Sequence, residues 1–175
     1  ALKGPTDKDR KRLLDILQQS MQGKVVTRNE EFFLKSPQGE LEFTLLAEGI
    51  RKLGLLWVLI QNGTLLDGSV LLWDEPEANL NPKLMRTVVQ ILIELQRLGV
   101  QLFITTHNYN LLKEFDLQLQ AQDQVLFHSL YRDAQDSMRA ASFADYDNLQ
   151  PNAIDDTLAA LADREIRQQM GELGQ

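Results

Sequence analysis

At 175 residues, 43% apolar, 25% charged and 7% aromatic, the chain is long enough to bury a core as one globular domain and too hydrophobic to be a disordered segment. Its formal charge of −7 is uneven, since residues 1–115 hold 14 charges of each sign while residues 116–175 hold 4 basic against 11 acidic ones; this argues against a broad basic face for nucleic acid and leaves Lys3, Lys8, Arg10, Lys11 and Arg12 as a small local patch. The absence of cysteine excludes a disulfide framework or a thiolate metal site and suits a reducing, cytoplasmic setting, and neither a secretory leader nor an apolar run of the roughly 18 residues needed to cross a membrane is present, so no membrane partner is expected.

Thr6, with Asp9 three positions on and Leu13, Leu14, Ile16, Leu17 and Met21 behind it, predicts a capped amphipathic helix ended by Gly23. A short β section follows, with strands over Lys24–Thr27, Glu31–Lys35 and Glu40–Leu45 and a turn at Ser36-Pro37-Gln38-Gly39. Leu41, Phe43 and Leu45 alternate with Glu42 and Thr44, which gives the last strand one buried face. Glu48 to Gln61 reads as a helix through Ile50, Leu53, Leu56, Trp57 and Ile60, stopped by Asn62-Gly63.

The rhythm then becomes strand, helix, strand, helix. Val70-Leu71-Leu72-Trp73 and Gln101–Thr105 are short apolar runs of the kind buried on both faces of a parallel sheet, and a helix from about Asn81 to Leu98 turns Leu84, Val88, Ile91, Leu92 and Leu95 inward. These form a right-handed βαβ unit. Gln124–Leu130, paired with Met138–Phe143, and a closing helix over Asn152–Gly171 complete one domain, 1–175, whose acidic tail is read as a solvated helix face.

Val70–Glu75 delivers two adjacent carboxylates at the carboxyl end of a buried strand, where open α/β sheets place their ligands. Neighbouring residues on a strand point to opposite sides, so the two acids can take different roles. Asp74 suits Mg²⁺, a hard ion that takes one or two carboxylates and completes its shell with water and phosphate oxygens. Glu75 suits a general base acting on water. The second strand ends in Thr105-Thr106-His107-Asn108, and in a parallel sheet both ends lie on one edge, which brings His107 towards Asp74 and Glu75 as a phosphate donor or water holder.

These residues resemble the head domains of ABC-type ATPases. Val70–Glu75 looks like a Walker B motif, Ala78–Pro82 like the D-loop, and Ile104–His107 like the switch-histidine loop; upstream, Leu46-Ala47-Glu48-Gly49-Ile50 stands where such heads carry their signature segment. The bacterial AAA-family branch related to RecF, SMC and OLD heads is especially similar, over roughly residues 40 to 115. The resemblance implies a partial P-loop NTPase fold, α/β with a mostly parallel sheet flanked by helices and a small N-terminal helix with antiparallel strands. It also implies ATP and Mg²⁺ as cofactors, and a homodimer that sandwiches two nucleotides. Asp74 would then hold the metal, Glu75 would be the base, His107 the γ-phosphate sensor, and Ala47, Glu48 and Gly49 would reach the nucleotide of the opposite subunit. Gly49 allows close backbone approach, the first-turn N–H groups favour a phosphate, and Arg51 and Lys52 add positive charge. Two departures stand out: Ala47 replaces the usual signature serine, and Asn81 replaces the D-loop aspartate of many transporters, where it would bond across the dimer without charge.

The sequence lacks Gly-x-x-x-x-Gly-Lys-Ser/Thr, the loop that cradles phosphates; Gly23-Lys24 has Gln18 where that motif needs glycine. A P-loop lobe is therefore expected from elsewhere in a longer chain or in trans, a degenerate module being the alternative, and without it a bare sheet edge and apolar surface should show. The family's uses point to DNA maintenance or phage defence, with DNA or an effector protein as further partners. Against the ATPase reading stand a non-catalytic dimerisation module and a metal-dependent nuclease on Asp74, Glu75 and Glu77. The nuclease is disfavoured because two-metal sites draw acids from several strands.

Overall fold

The computed structural model describes residues 7–65 and 67–172. Helix α1 (Asp7–Met21) buries Leu13, Leu14, Leu17 and Met21 at the spacing its sequence sets. The expected cap at Thr6 and Lys3 of the basic patch lie outside the described residues. A three-stranded antiparallel sheet follows, β1 (Lys24–Arg28), β2 (Glu31–Ser36) and β3 (Gly39–Glu42), in that spatial order. The Pro37-Gln38 turn joins Ser36 to its register partner Gly39.

The expected strand over Glu40–Leu45 ends early, because residues Phe43–Leu45 form a turn of 3₁₀ helix. Leu41 and Leu45 are exposed, so the alternation there does not mark a buried face. Phe43 instead packs against α2 (Glu48–Gln61) at Gly54, where an added Cβ would stand 2.4 Å from its ring. Asn62 closes α2, and Gly63, at φ 80°, takes the left-handed step that follows.

Strand β4 (Val70–Asp74) pairs in parallel with β5 (Gln101–Thr105), from Val70↔Gln101 to Asp74↔Thr105. The helix between them, α3 (Met85–Arg97), is entered through a 3₁₀ turn at Pro82–Leu84 and followed by Gly99 at φ 88°. Leu71, Trp73, Leu102 and Ile104 pack on the main core with Val88, Ile91, Leu92 and Leu95 of α3, Leu53, Leu56 and Ile60 of α2, and α1. Side chains on a strand alternate, so Val70, Leu72 and Phe103 face the other way, and they are exposed. The β4–β5 pair is thus covered on one face only, where the apolar runs suggested two. Among the described residues it is also the single parallel pairing, so the architecture is mixed α/β with small sheets and not mostly parallel.

Helix α4 (Tyr109–Gln118) packs on α3 through Leu111 and leads to an antiparallel ribbon, β6 (Phe127–Arg132) with β7 (Met138–Phe143). Phe127, Tyr146 and Leu149 make a small core against Leu112, Phe115 and Leu119. Helix α5 (Ala153–Glu172) then runs with its side chains exposed from Asp156 to Gly171, as read for the acidic tail, although Asp155 accepts a 2.6 Å hydrogen bond from the Tyr146 hydroxyl. No helix among the described residues is long and apolar enough to cross a membrane.

Candidate functional site

The parallel register delivers the carboxyl ends of β4 and β5 to one rim. Asp74 sits opposite Thr105, on the uncovered face, and its Oδ1 accepts a short hydrogen bond from Thr105 Oγ1. One residue later the chain turns sharply. Glu75 is at φ 44°, a left-handed conformation that costs a non-glycine residue on the order of 1–3 kcal/mol and persists only where its surroundings impose it. They do so through hydrogen bonds: Glu75 N–H donates to Thr105 O at 3.0 Å, and Glu75 O accepts from Ala78 N–H at 3.1 Å and from Lys52 Nζ at 3.0 Å. The turn swings the Glu75 carboxylate to His107, whose Nδ1 lies 2.8 Å from Oε1. Half of the glutamate and most of the imidazole remain open to solvent, with side-chain exposures of 41% and 79%.

Glu77, next but one, is 7% exposed. Its Oε1 accepts a short hydrogen bond from Thr106 Oγ1, which itself accepts from Asn108 N–H at 3.0 Å; Oε2 is buried without a protein partner. Glu77 thus ties the two rim loops together from inside. That inward position removes it from any set of metal-facing acids with Asp74 and Glu75, and among the described residues no three acid or histidine side chains group as a metal cage.

The N-terminus of α2 is knit to the same loop. Ala47 is the cap residue and supplies no side-chain hydrogen bond, so the first-turn N–H groups have no such partner. The Glu48 carboxylate accepts from Asn79 Nδ2 at 2.7 Å. Gly49 lies against the backbone of Asn79 so closely that a Cβ would stand 2.6 Å from Asn79 O, which explains why glycine is needed there. Asn81 caps the 3₁₀ turn, its Oδ1 accepting from Lys83 N–H at 3.0 Å, while the residue as a whole remains exposed. Lys52, read in the sequence as charge for a phosphate, instead points its ammonium at the carbonyls of Glu75 and Ala78.

Asp74, Glu75 and His107 therefore share one rim, and Ala47, Glu48, Gly49 and Asn81 lie along the loop beside it. Sequence reasoning gave no role to Thr105 and Thr106 and a different one to Lys52. The two threonines carried a usable signal, because hydroxyls beside a strand end that faces acids have few other partners; the end point of a lysine stem carries none.

The oxygen donors at the rim, one carboxylate of Asp74 and the hydroxyl of Thr105, fit a hard divalent ion that takes most of its remaining ligands from water and phosphate. The rim itself is open. Two clefts, of about 310 Å³ beside Pro82, Met85 and Lys113 and about 140 Å³ beside Lys52, Leu55 and Leu72, are lined by none of Asp74, Glu75 and His107.

A family model described as "AAA domain, putative AbiEii toxin, Type IV TA system" matches residues 3–113. No curated protein matches. Among solved structures, one reported for ATP-driven dimerization and DNA-stimulated activation of SMC ATPases is similar with a TM-score of 0.56 at 14% identity, covering 91% of this chain and 92% of the other. The Smc head of Pyrococcus furiosus, with an extended coiled coil and bound to the C-terminal domain of ScpA, gives 0.55 at 16% identity over 91% of this chain and 37% of that one. The SMC head from Thermotoga maritima gives 0.50 at 16% identity over 79% and 46%. The chain thus spans nearly all of one of these structures and less than half of the other two, and at such identities the likeness is one of fold: that of an SMC-type ATPase head.

Proposed function

The chain belongs to this AAA-domain family, and from that premise we propose that residues 1–175 are the signature-bearing portion of an ATP-binding and hydrolysing head that works as a homodimer around two nucleotides. The observation that carries the reading is the 2.8 Å contact between Glu75 and His107 beside Asp74, on a rim that contains no phosphate loop of its own. A P-loop lobe, in the same longer chain or in trans, completes the site. The uncovered apolar face of β4–β5 and the outer edges of that two-stranded sheet support such a lobe, because exposed edges and apolar patches are surfaces a protein ordinarily covers.

Bound Mg²⁺ and ATP supply a phosphoryl group whose negative charge is partly neutralised. Asp74 would hold the ion, with Thr105 fixing the carboxylate's orientation. Glu75 takes the proton of the attacking water, and half-exposure leaves its carboxylate reachable for one. His107, in contact with Glu75 through Nδ1, keeps the base aimed, and where both ring nitrogens carry hydrogen it donates the other to a phosphate oxygen. The uncapped first turn of α2 gives backbone N–H groups to the partner's nucleotide, a contact that does not need the hydroxyl absent at Ala47. The Asn79 hydrogen bond orients the Glu48 carboxylate without neutralising its charge. DNA maintenance and phage defence both suit such a head, with an effector or DNA as client.

With the P-loop lobe present, Glu75→Gln should retain ATP binding and lose about 10²–10⁴-fold in turnover, the range a positioned general base contributes. Unchanged hydrolysis would remove Glu75 from the reaction. Ala47 favours a second reading, a dimerisation module without turnover. That reading predicts no change in light-scattering mass when Mg-ATP is added to chain and lobe together.

A further inference from the structure

Lys52 lies one helical turn past Gly49 on α2, and its ammonium ends between two carbonyl oxygens, Glu75 O at 3.0 Å and Ala78 O at 2.9 Å. These oxygens belong to the first and last residues of one tight turn, because Ala78 N–H donates to Glu75 O. Among the described residues Lys52 makes no ion pair, so the turn is where its charge is used. A charged donor at a partly buried carbonyl makes a stronger bond than a neutral one. This one acts on a residue held in a left-handed backbone conformation, at φ 44°.

We propose that Lys52 is a positioning residue: by holding both ends of the 75–78 turn it fixes the backbone from which the Glu75 carboxylate reaches His107. The role is directional. Glu77 and Thr106 tie the turn to the β5 loop from within, whereas Lys52 ties it to α2. Through Lys52, the Glu48–Asn79 bond and the Gly49 contact, the N-terminus of α2 and the Glu75 turn form a single body. A phosphate arriving at the first turn of α2 would therefore bear on Glu75 in the same subunit. That consequence rests on the ATPase reading above; the hold of Lys52 on the turn does not.

Lys52→Met keeps the aliphatic stem beside Leu55 and Leu56 and removes the donor. By hydrogen–deuterium exchange on the 175-residue chain, peptides over residues 75–80 should exchange about tenfold faster while α3 keeps its protection, since local opening is governed by local contacts. Unchanged exchange at residues 75–80, or equal acceleration in α3, overturns the proposal. With the P-loop lobe present, Lys52→Met should lower kcat by about tenfold and leave KM for ATP within about twofold, the pattern of a lost aim and not of lost ground-state binding. A raised KM at constant kcat would mean that Lys52 touches nucleotide, and would also overturn it. Glu75→Gln measured alongside separates the two readings. If that variant hydrolyses ATP normally, the function proposed for the rim fails, and the exchange result alone decides whether Lys52 holds the turn.

Discussion

On one face of the β4–β5 pair, Leu71, Trp73, Leu102 and Ile104 meet a core in which Leu17, Ile91 and Leu92 are wholly shut off from solvent. On the other, Leu72, Val70 and Phe103 stand 76%, 55% and 49% exposed. The two faces come from alternate residues of the same two runs and are similarly hydrophobic. A single exposed leucine is ordinary, but three large apolar side chains on adjacent strands with open edges are a surface prepared for a cover. The candidate site sits where these faces meet the rim: Asp74 belongs to the uncovered face, while Pro76 and Glu77, two and three residues on, are buried. The difference between the faces is therefore also a division of labour, with the covered side fixing the loops and the uncovered side presenting the acid.

The largest effect is expected on the covered side. Leu92→Ala should cost about 2–5 kcal/mol, read as a lower urea midpoint at unchanged slope, because it leaves a cavity that a tightly packed helix cannot collapse into. A loss under about 1 kcal/mol would show that this core is slack and would break the contrast. The covered side extends through α4 to Tyr146, whose hydroxyl donates to Asp155 and accepts from Asn152 Nδ2 at 3.4 Å. Burial first, then the bond to Asp155, pushes this phenol up to about 12. The unfolded phenol ionises near its ordinary 10.0, so stability is complete below that pH and is lost as pH rises from there towards about 12. Tyr146→Phe should remove that alkaline loss and cost about 1–2 kcal/mol at neutral pH, where Asp155 and Asn152 lose their shared partner.

A smaller effect is expected where α3 ends. Arg97 donates Nε and Nη2 to the two oxygens of Asp123, each at 2.7 Å, and this pairing holds the Asp123 carboxyl below its usual 3.8, burial opposing it. Its folded value is depressed, so the contribution is present above about that pH and is lost as pH falls below it. Arg97 keeps solvent contact, so Asp123→Asn should cost only about 1 kcal/mol at neutral pH and flatten the acid limb of a stability profile. A profile that keeps its acid slope in the variant would assign that slope to other carboxylates.

Much of this was legible in the chain. The bounds of α2 follow from the 3.6 period of Leu53, Leu56 and Ile60 and the Asn62-Gly63 stop, and α3 follows from its inward leucines and isoleucines. The rim could be read because a parallel pair aligns strand ends, so that acids at 74 and 75 and an imidazole at 107 have one edge to share. The helix after the second strand was expected but given no bounds: the cap of α4, Asn108, which accepts from Asn110 and Leu111 N–H, stands directly behind a histidine that drew the chemical reading. Leu41, Phe43 and Leu45 misled because tertiary packing of Phe43 onto Gly54 overrode a local period of two. A continuous apolar run says that both faces of a strand want cover, but not whether the second cover is part of the same 175 residues.

The smallest effect on stability carries the sharpest test of the comparison. Leu72→Ser replaces the most exposed apolar side chain of the open face and removes no packed core contact, so the chain's own unfolding free energy should move by no more than about 0.5 kcal/mol. If the face is an interface, the same change should be costly elsewhere. A P-loop lobe docking there would bury Leu72, and the serine would bring a hydroxyl into that contact in its place, weakening association by about tenfold or more at a single side chain, as central interface positions do. Self-association of the chain alone should fall as well. Equal binding of the lobe by both forms, measured by titration calorimetry, would mean that the lobe sits elsewhere, and the uncovered face would then have to be explained without it.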